Sequence, residues 1–157
     1  MRLSPLLAAV AASLLLLSRP LCAQREKFSP RDLDYVEKTW PNAKKTVTGI
    51  RYIIQRDGQG APPQPGDIVH VHYVGTLLNG TLFDKNEEKD RPLSFRVGRE
   101  RVIEGWDQVL QLMKPGEKRL VVIPSELAYG FRGQPPKIPS DATLVFVIEL
   151  VSVEREE

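Results

Sequence analysis

The chain has 157 residues, with 22 basic and 20 acidic side chains, 41% hydrophobic content and 27% charged content. That length suits one domain plus an appendage, and the near balance of charge gives no support to nucleic-acid or membrane-surface binding. One cysteine, Cys22, leaves no scope for an internal disulfide framework.

Residues 1–23 read as a secretory signal peptide. Arg2 supplies the positive start. Leu6 to Leu17 is an apolar run too short to span a bilayer comfortably, and Leu21-Cys22-Ala23 resembles a cleavage site. Pro20 and Leu21 ahead of Cys22 are not the small residues a lipid-anchor signal wants. Cleavage would make Gln24 the first residue, remove the cysteine, and leave basic and acidic residues balanced at 20 each. The expected mature protein is exported, carries no thiol chemistry and is not stably inserted in a membrane.

Residues 24–48 lack the strand-like alternation of the remaining chain and are read as an N-terminal arm. Ser29-Pro30-Arg31-Asp32 is a helix start: a hydroxyl at the N-cap, proline at the first helical position and a carboxylate three residues after the cap. The helix runs to about Thr39 with Leu33 and Val36 on one face; Trp40 comes next, and Pro41 ends it. Such an arm docks on its own domain, or it contacts a partner or a second copy.

From Gly49 the period becomes that of strands, and residues 49–157 are read as one domain. Ile50–Arg56 is a strand candidate, and Asp57–Gly66 is a loop rich in glycine and proline. Asp67–Leu78 is a strong strand with Val69, Val71 and Tyr73 on one face and His70 and His72 on the other. Asn79-Gly80 predicts a type I′ hairpin turn, after which Thr81, Leu82 and Phe83 resume the strand. Asp84–Arg91 reads as an exposed charged loop, and Leu93–Gly98 as a further strand.

Val102–Met113 predicts a short amphipathic helix, because Trp106, Val109, Leu110 and Met113 recur at helical spacing. Pro115 and Gly116 stop it. On this stripe Trp106 either fills the core or floors a pocket. Lys118–Pro124 and Thr143–Val153 are strands. Between them Ser125–Asp141 is a long irregular segment of the kind usually kept for function.

Obvious catalytic groups are missing from this pattern. The two histidines lie two apart on one strand with no third ligand in view, so no metal is expected. No nucleotide-binding glycine motif or nucleophile elbow occurs, and no serine or cysteine has a candidate histidine base. Binding remains, or a reaction that binding alone accelerates.

Val71-His72-Tyr73-Val74-Gly75-Thr76-Leu77 followed by Asn79-Gly80-Thr81-Leu82-Phe83-Asp84 resembles the FKBP-type peptidyl-prolyl isomerases, the macrolide-binding immunophilins. Val97-Gly98 through Val102-Ile103-Glu104-Gly105-Trp106-Asp107 agrees in order and spacing. So do Gly116-Glu117-Lys118-Arg119, Ile123-Pro124, Ala128-Tyr129-Gly130, Ile138-Pro139 and Ala142-Thr143-Leu144-Val145-Phe146. The resemblance covers about Thr48 to Val153. It implies an α+β fold: a curved antiparallel β-sheet of about five strands wrapped around one short α-helix, here with an N-terminal helical arm. It also implies a catalytic set of Tyr73, Asp84, Trp106 and Tyr129. Substrate binding would fall to Phe83, Leu93, Phe95, Val102, Ile103, Ile138 and Phe146. Trp106 would be the floor under the proline ring, and the Tyr129 hydroxyl and Ile103 N–H would bond the substrate.

Departures from the family pattern fall on the rim: Leu93 stands where phenylalanine is common, Lys137 where an aliphatic is frequent, and Gln134 where some members carry histidine. They bear on macrolide affinity and substrate preference. Asp84 has two readings, the solvated start of a charged loop or an anchor for the Tyr129 hydroxyl or a substrate dipole. Asn79-Gly80-Thr81 also matches an N-glycosylation sequon, which its turn role explains by itself.

The implied activity is cis–trans isomerisation of X-Pro bonds, without cofactor, in proline-containing polypeptides of the exported proteome. Macrolide inhibitors are the implied ligands. The alternative is a non-catalytic module or holdase that grips proline-containing segments. The compartment expected is the bacterial periplasm, with a eukaryotic secretory lumen or the extracellular space as alternatives; Glu154-Arg155-Glu156-Glu157 is no ER-retention signal of the KDEL kind.

Overall fold

A computed structural model describes residues 25–155. The expected signal peptide, Gln24 and the last two residues of the acidic tail lie outside the described residues. Among the described residues no helix is long and apolar enough to cross a membrane.

The order along the chain is α1 (Pro30–Thr39), β1 (Lys44–Lys45), β2 (Arg51–Arg56), β3 (Ile68–Leu77), β4 (Leu82–Asn86), β5 (Leu93–Arg96), α2 (Glu104–Leu110), β6 (Lys118–Ile123) and β7 (Leu144–Glu154). The strands form one curved sheet in the order β1-β2-β6-β7-β3-β4, with β5 also paired to β3. Every pairing is antiparallel. Among the described residues the sheet has seven strands rather than about five. The arm supplies β1, and the hairpin after β3 yields a separate β4.

Alternation on β6 and β7 sends side chains to two different layers. Val121, Ile123, Leu144, Phe146, Ile148 and Leu150 join Trp106, Val109, Leu110 and Met113 of the α2 region in the main core. Val122 and Val145 point the other way and meet Phe28 and Val36 of the arm, with Leu33, Trp40, Leu78 and Leu120 packed around them. The arm therefore docks on its own domain, across the sheet from α2. Each of Phe28 and Val36 contributes about 1.5–3 kcal/mol by leaving water.

Glu26 ties the arm down further. One carboxylate oxygen accepts from Arg51 at 3.0 Å and Lys45 at 3.1 Å; the other accepts the N–H groups of Lys27 and Phe28. Burial pushes this carboxyl up, but the Arg51 and Lys45 hydrogen bonds and the Phe28 N–H outweigh it and bring the pKa down to about 2.

Three local expectations are corrected. The helix predicted over Val102–Met113 is helical only over Glu104–Leu110, although all four stripe residues are buried. Leu112 points to solvent, and the chain leaves through a tighter turn toward Pro115. The hairpin turn is not type I′, since Gly80 has positive φ while Asn79 does not. A Leu78-Asn79 turn closed by Gly80 N–H to Leu77 C=O, with the glycine left-handed, is the three-residue alternative. Finally, Asp84–Asn86 is strand, not loop, because Tyr73, Val74 and Gly75 of β3 pair with it.

His70 sits between Ser94 Oγ at 2.6 Å and Glu154 Oε1 at 3.0 Å, bridging three strands. At the far end of the inner layer, buried Glu117 accepts from Arg119 Nε at 2.5 Å and from the Lys114 N–H. The Arg119 guanidinium lies 4.4 Å from the Tyr52 ring centroid and donates to Leu112 C=O. Such a pair costs desolvation, which these extra partners offset.

Candidate functional site

A cavity of about 190 Å³ opens between α2 and the inner sheet face, lined by Tyr73, Phe83, Asp84, Leu93, Arg101, Val102, Ile103, Trp106, Tyr129 and Phe146. Trp106 is its centre. Tyr73 and Phe146 meet the indole edge-on at 4.9 Å and 5.2 Å, and Phe83 meets Phe146 edge-on at 5.5 Å. These T-shaped contacts satisfy the ring quadrupoles, and rings meeting at right angles leave a concave space at their junction. The buried indole Nε1 has no hydrogen-bond partner among the described residues.

Strand irregularity supplies two neighbours to this space. Between β3 and β4, Gly75 pairs with Asp84 and Thr76 with Leu82, so Phe83 is an extra residue. Strict alternation would turn Phe83 and Asp84 to opposite faces. The bulge re-aims the strand so that both line the cavity. Gly75 makes the room: a Cβ there would lie 2.7 Å from Phe83 Cζ and 2.8 Å from Phe146 Cε1.

Asp84 is exposed and accepts from the Tyr73 hydroxyl at 2.7 Å and from the Lys85 N–H at 2.9 Å. Tyr73 pairs with Asn86, so Asp84 is its diagonal neighbour on the same face, within reach of a long side chain. The expectation of an anchor for Tyr129 is corrected accordingly: the hydroxyl held by Asp84 is that of Tyr73. Burial first, then the Asp84 hydrogen bond and charge, raise the Tyr73 phenol above its ordinary pKa. Burial and the Asp84 charge likewise raise Tyr129. Both phenols therefore stay protonated at neutral pH and remain donors.

The loop before α2 is held from below. Asp107 is buried and accepts the N–H groups of Gly98 at 2.8 Å and Glu100 at 3.0 Å, the latter a residue with a φ of 53°. This bends Arg101, Val102 and Ile103 over the cavity. Ile103 is the N-cap of α2, and its N–H lies outside the helical ladder. Gly105 lets the helix approach β6, since a Cβ there would lie 2.6 Å from Ile123 Cγ2.

Nine of the eleven residues expected at the site thus surround one cavity. The other two do not line it. Phe95 packs against Trp106 at 6.1 Å with its ring tilted by 36°, and Ile138 is buried in the main core. Three contributors were given no role from the sequence: Arg101, and Asp107 and Gly75, which were noted only as members of the resemblance motifs. A glycine inside a strand of branched residues signals a close approach. Buried Asp107 and loop-borne Arg101 carry no periodic mark.

A family model described as FKBP-type peptidyl-prolyl cis-trans isomerase matches residues 59–151. Over 90 residues the chain is 56% identical to peptidyl-prolyl cis-trans isomerase FKBP2 of Mus musculus, covering 57% of this chain and 64% of that relative. It is 48% identical over 111 residues to FK506-binding protein 2 of Debaryomyces hansenii, covering 71% of this chain and 82% of the relative. The chain thus spans just under two thirds of the mouse protein's length. The crystal structure of FkpA from Escherichia coli superposes with a TM-score of 0.71 at 41% identity, covering 79% of this chain and 58% of that one.

Proposed function

Because the chain belongs to the FKBP-type peptidyl-prolyl cis-trans isomerase family, we propose that its cavity isomerises X-Pro bonds of proline-containing polypeptides. The observation that carries this reading is the aromatic cavity around Trp106, bordered by two protonated phenols and a carboxylate.

The physical reason lies in the amide. Resonance opposes rotation with a barrier of roughly 18–20 kcal/mol, and X-Pro bonds exchange over roughly tens to hundreds of seconds. At the twisted transition state the nitrogen is pyramidal and the carbonyl less polar than in the planar amide. An apolar site poor in water favours that state over the planar ground state without a nucleophile. Lowering the barrier by about 5 kcal/mol accelerates exchange by between three and four powers of ten.

In this reading the Trp106 face seats the proline ring, with Phe83, Leu93, Val102 and Phe146 as walls. The Ile103 N–H and the Tyr129 hydroxyl bond substrate carbonyls. Asp84 holds Tyr73 in its rotamer. Export, with assistance to the folding of exported proteins, is part of the same proposal, supported by the leader-like residues 1–23; the periplasm is the compartment proposed. Macrolides are proposed ligands of the same cavity.

The test is NMR exchange spectroscopy of an X-Pro peptide with the purified chain at micromolar concentration. Acceleration is expected, reduced several-fold in Asp84→Ala; no acceleration over buffer overturns the reading.

A further inference from the structure

We propose that the arm is a strap that positions the loop carrying Tyr129, with Asp32 as its positioning residue. This rests on the isomerase reading of the cavity and names what holds one of its walls.

Residues 124–143 link β6 to β7, and Tyr129 reaches the cavity from the first half of that loop. The arm grips the loop near both ends. Near its start, Arg25 pairs with Glu126, in the 3₁₀ turn Ser125–Leu127 that precedes Tyr129. Both side chains are exposed, so this contact is weak. At its end, the Thr143 hydroxyl donates to Asp32 Oδ2 at 2.7 Å, and Thr143 is only 4% exposed. A polar group so buried is costly to leave unpaired, so this bond is the firmer of the arm's two holds on the loop.

Asp32 departs from local helix economy to make it. In a full capping box a Glu or Gln at the third helical position reaches back to the N-cap N–H. Ser29 Oγ accepts from the Asp32 N–H at 3.1 Å as in a capping box, but the Asp32 carboxylate is turned across to Thr143. The route onward is short. Two residues before Thr143, the Asp141 N–H donates to Gly130 C=O at 2.9 Å, next to Tyr129. Gly133 N–H returns to Tyr129 C=O at 3.1 Å. Holding Thr143 therefore holds Asp141, and through it the backbone around Tyr129. Phe28 and Val36, packed on Val122 and Val145, fix the arm from which Asp32 acts.

The test uses the full chain with Asp32→Ala, Asp32→Asn and Thr143→Val. Asp32→Ala and Thr143→Val should each lower kcat/KM on an X-Pro peptide by roughly tenfold, because a misplaced hydroxyl loses its orientation. Asp32→Asn should restore it, since the amide oxygen still accepts from Thr143. Amide hydrogen exchange should quicken over 128–142 in the two defective variants while β6 and β7 keep their protection. Unchanged exchange and activity in both would overturn the proposal. So would protection lost throughout the sheet, or an Asn variant as impaired as Ala. A wild-type chain inactive on every X-Pro peptide would sink the isomerase reading alone; the exchange pattern would still decide the strap.

Discussion

On the inner face of β6 and β7, Val121, Ile123, Leu144 and Phe146 meet α2 and leave a cavity of about 190 Å³ around Trp106. On the outer face of the same two strands, Val122 and Val145 are covered by Phe28 and Val36 of the arm. Alternation along two strands thus builds both layers, and what separates them is the shape of the partners. In the outer layer Phe28 and Trp40 lie among the aliphatic chains of Leu33, Val36, Leu78, Leu120, Val122 and Val145. In the inner layer the rings of Tyr73, Trp106, Phe146 and Phe83 meet one another edge-on at 80–89°, and Gly75 withholds the side chain that would occupy part of the gap between them. The inner layer is a core with a hole; the outer layer clamps the strands and loop that frame it.

Three changes probe that contrast, from the largest effect to the smallest. Trp106→Ala removes the floor of the inner layer. It should cost about 3–5 kcal/mol in urea unfolding and bring isomerase activity to background. Gly75→Ala attacks the space itself. Its methyl collides with Phe83 and Phe146, so stability should fall by about 1–3 kcal/mol through overpacking. Activity should fall further than that loss explains when both are measured well below the melting temperature. Wild-type activity in Gly75→Ala would break the idea that the glycine keeps the cavity open.

Glu26→Gln tests the outer layer through pH. The Glu26 pKa is lowered from 4.5 to about 2. Its stabilisation is therefore fully present above the unfolded value and is lost as pH falls toward the folded one. Urea midpoints at about pH 5 and about pH 3 should differ less in Glu26→Gln than in the wild type. An identical acid slope would mean that this carboxylate does not hold the arm.

Much of this layout was legible in the sequence. The stripe Trp106, Val109, Leu110 and Met113 located the inner helix α2, and the alternation of Val69, Val71 and Tyr73 oriented β3. The arm helix read correctly because its start signals, Ser29 and Pro30, act within one turn. Nine of the eleven residues expected at the site meet at one cavity because co-linear motifs carry the spacing of a whole domain. Two of the three corrected elements depended on register. Asn79-Gly80 names a tight turn, but whether it closes as two residues or three is set by where β4 pairs. Asp84 reads as charge next to a loop until pairing with Gly75 places it in a strand.

By itself, the sequence determined which residues are apolar, at what period, and in which family order. Those are properties of neighbours along the chain. Only the tertiary structure decided which hydroxyl Asp84 holds, how the bulge turns Phe83 and Asp84 into one cavity, and that Gly75 stands beside two rings. Docking of the arm through Asp32 and Thr143, which are 111 positions apart, was likewise decided there. Each of these depends on the angle and register at which distant segments meet, and no local propensity encodes them.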